Sequence, residues 1–279
     1  MVGHVVGTFV GRWYVSVSGF VFLVLAVRHI GVLRTAIYAT IAIAVGALAE
    51  NSSVLVGFPY TRYTFNPELR SRELWIGEVP LMVPLSYGVL AYFAFCTARL
   101  IVSGPYTTRG RQPVLEFVLA TVLATWAIWI IDPVSRLGRY FFLGELFQYN
   151  GPGFWFGLPL GSQVGFFCTA GSLVAVLTVM MRREPATAVR RLSRHPRLPT
   201  LLTYVIQVLF MAGAAFYAAR THDAAVAVAP DALAGATLII GIPVALVVAI
   251  YWRSLPHPAE PPPKADMVAV THHQQEESF

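Results

Sequence analysis

The sequence predicts an all-α fold, a polytopic membrane helical bundle of about seven transmembrane helices. Three observations lead there. Hydrophobic residues make up 56% of the chain and the mean hydropathy is +0.63, more apolar surface than a water-soluble core can hide. Only 12% of residues are charged, and they gather between apolar runs. Those runs approach the ~20 residues a helix needs to cross hydrocarbon. Inside hydrocarbon a chain must satisfy its own backbone groups, so each run reads as a helix.

In order, the expected spans are Phe9–Val27, Leu33–Ala49, Val79–Val102, Val114–Ile131, Phe154–Met181, Leu201–Ala219 and Ala232–Trp252. The first lacks a basic leader and a small-residue cleavage site, so it reads as a membrane helix and not a signal peptide. The second closes on Glu50, just after Gly46 and Ala47, small residues that let another helix approach. The third is entered through Pro80 and Pro84. The fourth ends at Asp132-Pro133, and the bias of a residue before proline away from helical geometry places the acid at the helix end. Residues 1–253 form the bundle. The segment 254–279, rich in Pro, Glu, Gln and His, reads as a disordered cytoplasmic tail.

The basic excess is almost all arginine, Lys264 being the only lysine. Its distribution reads as a topology signal and not as nucleic-acid binding. Counted over alternate connections, one side holds about twice the arginine and lysine of the other. The positive-inside rule then sets the C-terminus in the cytoplasm and the N-terminus outside, in a cell membrane. It also puts the connections after the second and fourth spans on one non-cytoplasmic face. Cys96 and Cys168 lie within apolar runs and read as reduced packing residues.

Those two connections carry the unusual residues. Ala49–Leu85 is a polar, aromatic island holding Tyr60, Arg62, Tyr63, Glu73 and Glu78; the second connection starts at Asp132 and continues through Tyr149 and Trp155 to Gln163. Thr125, Trp129 and Asp132 are spaced to share one helix face. Asp132 is either a functional acid with an indole beside it or an interfacial cap. Glu50 is either a proton donor or the ion-pair partner of an arginine such as Arg62. Glu116 reads as structural. The aromatic residues either form an interfacial belt or wall a cavity whose π faces attract a cation. The histidines form no spaced cluster of the kind a di-iron site needs. No span carries a lysine for a Schiff base, and no aspartate-rich or glycine-rich phosphate motif occurs. Neither a metal nor another cofactor is expected.

Glu50, then GFPYTRYTF at Gly57–Phe65, then GEVPLMVPLSY at Gly77–Tyr87, resemble the CruF-type carotenoid biosynthesis family. Asp132-Pro133 and the Trp155–Leu160 entry into the next helix agree with it. The resemblance runs from about Ala49 to Phe167. There are departures: Ile128 stands where the family has a second aspartate, Tyr60–Tyr63 replaces a Phe-Gly-x-Tyr pattern, and Ser162-Gln163 replaces an asparagine. Characterised members are carotenoid 1,2-hydratases, including bisanhydrobacterioruberin hydratases. The resemblance therefore implies a membrane hydratase that adds water to a terminal C=C of a lipophilic isoprenoid by acid–base, carbocation chemistry. The expected catalytic residues are Asp132 and Glu50, with Tyr60, Arg62, Tyr63, Trp129, Tyr149 and Trp155 binding substrate. Two alternatives stand beside it: a cofactor-free cyclase or dehydratase of a polyketide or terpenoid, and a non-catalytic membrane scaffold. The expected partners are the lipid bilayer, the lipophilic substrate and other pathway enzymes.

Overall fold

The computed structural model describes residues 2–103, 112–135, 146–150, 153–181, 197–220 and 235. The expected span Ala232–Trp252, apart from Gly235, and the tail 254–279 lie outside the described residues. Among the described residues seven helices run in chain order: α1 Val2–Gly11, α2 Trp13–Ile30, α3 Val32–Val56, α4 Met82–Ser103, α5 Pro113–Ser135, α6 Leu160–Met181 and α7 Arg197–Arg220. The helical bundle expected from the sequence is present. α2 to α6 are each long and apolar enough to cross a membrane, and α7 has a shorter apolar stretch, Leu201–Tyr217.

Several boundaries differ from expectation. The first expected span is broken at Arg12, whose backbone leaves helical geometry between α1 and α2. α3 continues past Ala49 to Val56 and stops at Gly57, which is left-handed at φ 83° and donates its N–H to the Ser53 carbonyl. Glu50 therefore lies inside the helix and does not close it. α6 starts at Leu160, because Phe154–Pro159 is taken up by a tight turn.

α4 is the central helix. It packs against α2, α3, α5, α6 and α7, with Tyr92, Phe93 and Phe95 fully buried. The surrounding helices turn large apolar side chains outward, among them Phe20, Leu48, Val118 and Val164. Such a surface suits lipid, whose tails are as apolar as the side chains.

α3 and α4 approach closely. Thr35, Tyr38, Ala42, Gly46, Glu50 and Ser53 are the buried residues of α3, spaced by threes and fours along one stripe. A side chain at Gly46 would put its Cβ 3.0 Å from the Pro84 Cα, and one at Gly88 would fall 2.7 Å from the Ala42 methyl. Tyr38 Oη donates to the Gly88 carbonyl at 2.9 Å. Of the two small residues picked out in the sequence, Gly46 thus does admit a neighbouring helix.

At one end of the bundle the two long connections meet. Strand β1 (Tyr63–Phe65) pairs antiparallel with β4 (Phe147–Tyr149), Tyr63 opposite Tyr149 and Phe65 opposite Phe147. A small hairpin of β2 (Trp75–Ile76) and β3 (Val79–Pro80) lies beside them, and Asn51 of α3 holds it by donating to the Ile76 carbonyl and accepting from the Glu78 N–H. α1 docks on the same connection: the Leu74 N–H donates to Thr8 Oγ1 at 2.7 Å, and Arg12 Nε donates to Glu73 Oε2 at 2.8 Å. At the other end Arg99 pairs with Glu116 at 3.7 Å, both buried, the structural place expected for Glu116.

Replacing Gly46 with valine should lower stability by about 1–3 kcal/mol through overpacking against Pro84. Gly213→Ala, where nothing lies within 4 Å of the added methyl, should be neutral or stabilising. Thermal midpoints of the two variants in detergent test the contrast.

Candidate functional site

A cavity of about 320 Å³ opens at the end where β1 and β4 pair, and both Glu50 and Asp132 line it. The two acids are far apart in sequence and sit on different helices. α3 contributes Glu50 to its wall; α4 contributes Met82, Val83, Ser86 and Tyr87; α5 contributes Ile128, Ile131, Asp132 and Ser135. The α5 set is a single stripe with steps of three and four residues.

Glu50 is 4% exposed. Its Oε1 accepts a 2.6 Å hydrogen bond from Tyr87 Oη. Tyr87 lies one turn beyond Pro84, so the close approach of α3 and α4 at Gly46 carries the carboxyl to the phenol. Glu50 does not pair with Arg62, which is exposed and absent from the cavity wall. An arginine at a solvated turn keeps its hydration, whereas the carboxyl faces the bundle interior. Tyr87 lies within the sequence stretch quoted above, but its hydroxyl could not be assigned to Glu50 without the helix crossing.

Asp132 is half-buried on α5. The expectation that Pro133 would end the helix is not met, since α5 continues through Pro133 to Ser135. Proline has no N–H, so the carbonyl four residues back, that of Trp129, loses its helical donor. The indole Nε1 of Trp155 donates to that carbonyl at 2.9 Å. A side chain from the turn before α6 therefore replaces the missing backbone bond and lets the helix keep its geometry up to Asp132. Trp129 and Trp155 do not line the cavity; their rings meet at 6.3 Å beside it, and Trp129 Nε1 is buried without a hydrogen-bond partner.

Of the other expected substrate-binding residues, Tyr63 and Tyr149 line the cavity from the paired strands. Tyr63 Oη is buried without a hydrogen-bond partner. Tyr60 stands just behind the wall. Its ring stacks on Tyr87 (6.4 Å) and packs on Phe166 (4.5 Å), and its hydroxyl donates to Thr169 Oγ1 at 2.9 Å. Gly165 makes room for it, since a Cβ there would come 2.6 Å from the Tyr60 ring. Burial raises the Tyr60 phenol far above its ordinary value, and the nearby Glu50 adds to the effect; burial likewise pushes Tyr149 up, with Asp132 the next cause. Both phenols stay neutral at any physiological pH. Sequence reading missed Tyr87, Ser135, Phe166, Arg12 and Gln207 as wall residues. Among the described residues no group of three or more His, Cys, Asp or Glu could hold a metal ion, and neither Cys96 nor Cys168 is in a disulfide.

A bundle of long apolar helices with two carboxyls and several aromatic side chains around one cavity defines a membrane-type helical protein. Its membership can be stated more narrowly: the chain matches the family of carotenoid biosynthesis proteins over residues 10–233, and it belongs to that family. No curated protein and no solved structure matches the chain.

Trp155→Phe leaves the Trp129 carbonyl bare and should cost about 1–3 kcal/mol. Pro133→Ala restores a backbone donor to the same carbonyl. In that background the cost of Trp155→Phe should shrink, and a double-mutant cycle on thermal unfolding reads the difference.

Proposed function

We propose that this carotenoid-pathway protein is a hydratase of the terminal C=C of a lipophilic isoprenoid. The observation that carries the reading is the single cavity shared by Glu50 and Asp132 with Tyr87, Phe166 and the β1–β4 aromatic residues around them. Cavities of about 300–1,000 Å³ hold drug-sized ligands. A volume of about 320 Å³ suits one end of a carotenoid-length chain and not the whole of it.

Glu50 is the proton donor in this reading. Tyr87 holds Oε1, which leaves Oε2 to carry the transferable proton. The proton goes to the less substituted alkene carbon; the π bond breaks, a C–H bond forms, and a tertiary cation remains. Aromatic faces stabilise that cation. Water forms the new C–O bond while Asp132 takes the proton it releases. Tyr63 Oη, buried and without a partner, can position that water. Proton return from Asp132 to Glu50 through solvent resets the pair, so the net change is addition of one water. Closing out bulk solvent favours such chemistry, because a cation in a wet site would be quenched at random.

A second reading rests on Ile128. It lines the cavity one turn before Asp132, at the position where the resemblance leads one to expect another acid. With less machinery to hold water, the same protonation could end in cyclisation or dehydration of a terpenoid or polyketide.

Glu50→Gln and Asp132→Asn should each cut turnover in membranes by about 10²–10⁴-fold while thermal midpoints stay near wild type. Full activity in both variants removes the mechanism. Reaction in heavy-oxygen water separates the two readings: hydration places a solvent oxygen in the product, and cyclisation without hydration does not.

A further inference from the structure

A cavity that suits only one end of a long chain must let the remainder out. Three of its wall residues are exposed: Trp13 at 49%, Val17 at 55% and Ile206 at 61%. All three are apolar, and all three belong to α2 or α7. The wall residues on α3, α4, α5, α6 and the paired strands are buried or half-buried. The cavity therefore reaches the outside of the bundle between α2 and α7. It does so on the apolar surface that also carries Phe20 of α2 and Leu209 of α7.

The two helices pack chiefly on other neighbours, α2 on α3 and α4, α7 on α4 and α5. They run in opposite directions. α2 follows α4, with Gly19 by Leu85 and Phe22 by Tyr92. α7 follows α5, to which Tyr204 donates at the Leu123 carbonyl, and α5 turns back along α4 from the Arg99–Glu116 pair. Toward the β1–β4 end α2 and α7 meet through rings: Phe210 packs edge-on against Trp13 at 5.7 Å and stacks on Tyr14 at 6.0 Å. Val17 lies one turn after Trp13 and Ile206 one turn before Phe210. These two side chains flank the gap one turn deeper in the bundle. Helices satisfy their own backbone groups, so a hydrocarbon can lie between two of them without stripping any polar group of its partner.

We propose that the gap between α2 and α7 is a lateral opening to lipid, occupied by the unreacted remainder of a linear isoprenoid whose end lies between Glu50 and Asp132. The inference rests on the cavity being the ligand site, as in the proposed function. The other ways out are worse. Leaving by the β1–β4 end carries the chain toward water, at a cost that grows with every methylene. The side beyond Glu50 is closed by Tyr60 and Phe166, both buried. Passing between Val17 and Ile206 keeps the chain in hydrocarbon throughout.

The test is photolabelling of the full-length protein in lipid nanodiscs with two acyclic isoprenoid hydrocarbons. The short probe has two isoprene units and a diazirine; the long probe has eight units and a diazirine at mid-chain. The long probe should label α2 and α7 around Trp13, Val17 and Ile206, and the short probe only the inner wall. Val17→Trp and Ile206→Trp fill the gap from positions that are already exposed. Each should weaken the long probe by about tenfold and leave the short probe unchanged. Leu209→Trp, on α7 but off the cavity wall, should change neither. A long probe that labels elsewhere, or that ignores both fillings, overturns the opening, while short-probe labelling of the inner wall keeps the cavity as the ligand site. A diazirine phospholipid that labels Val17 and Ile206 and is not displaced by the unlabelled long chain makes the gap an ordinary lipid contact and overturns the opening as well. If neither hydrocarbon labels the wall, the opening and the proposed function fall together.

Discussion

The site depends on how closely α3 and α4 approach. Gly46 meets the Pro84 backbone and Gly88 meets the Ala42 methyl, so the two helices meet with almost no side chain between them. This seam holds Tyr38 against the Gly88 carbonyl. One turn beyond Gly46 it brings the Glu50 carboxyl to the Tyr87 hydroxyl. A carboxyl inside a largely apolar bundle needs a hydrogen-bonding partner, or it is a costly guest. Widening the seam by a methyl or two would separate acid from phenol before anything else in the cavity changed.

The second organising contact is the pairing of β1 with β4. Two connections separated by whole helices become neighbours through a handful of backbone hydrogen bonds. Once paired, they present Tyr63, Phe65, Phe147 and Tyr149 to the cavity from one side. The ion pair of Arg12 with Glu73 and the bond from Leu74 to Thr8 tie α1 to the same assembly. At this end of the apolar bundle the polar side chains hold each other.

Much of this was legible in the sequence. Apolar run length marked the helices, because hydrocarbon imposes a length on any element that crosses it. Glu50 and Asp132 stood out because an acid in an apolar run needs a reason to be there, and charge asymmetry put their two connections on one face. The limits were equally physical. The rule that a residue before proline leaves helical geometry placed Asp132 at a helix end; it did not foresee a tryptophan from another segment supplying the missing donor. Trp129 was chosen for its spacing from Asp132, yet Ile128, Ile131 and Ser135 face the cavity, since helix periodicity gives faces but not which face a neighbour covers. Arg62 read as a site residue by its place in a motif, and only the folded turn shows it pointing to solvent. Arg12 and Gln207 carried no local signal at all.

The bond from the Trp155 indole to the Trp129 carbonyl ties the mobility of two segments together. The turn ahead of α6 cannot swing away without stripping that carbonyl of its donor and loosening the last turn of α5, where Asp132 sits. Motions of the turn and of the helix end are therefore coupled by the worth of one buried hydrogen bond, ~1–3 kcal/mol. A movement at the rim that leaves this bond intact is cheaper, by that amount, than one that breaks it.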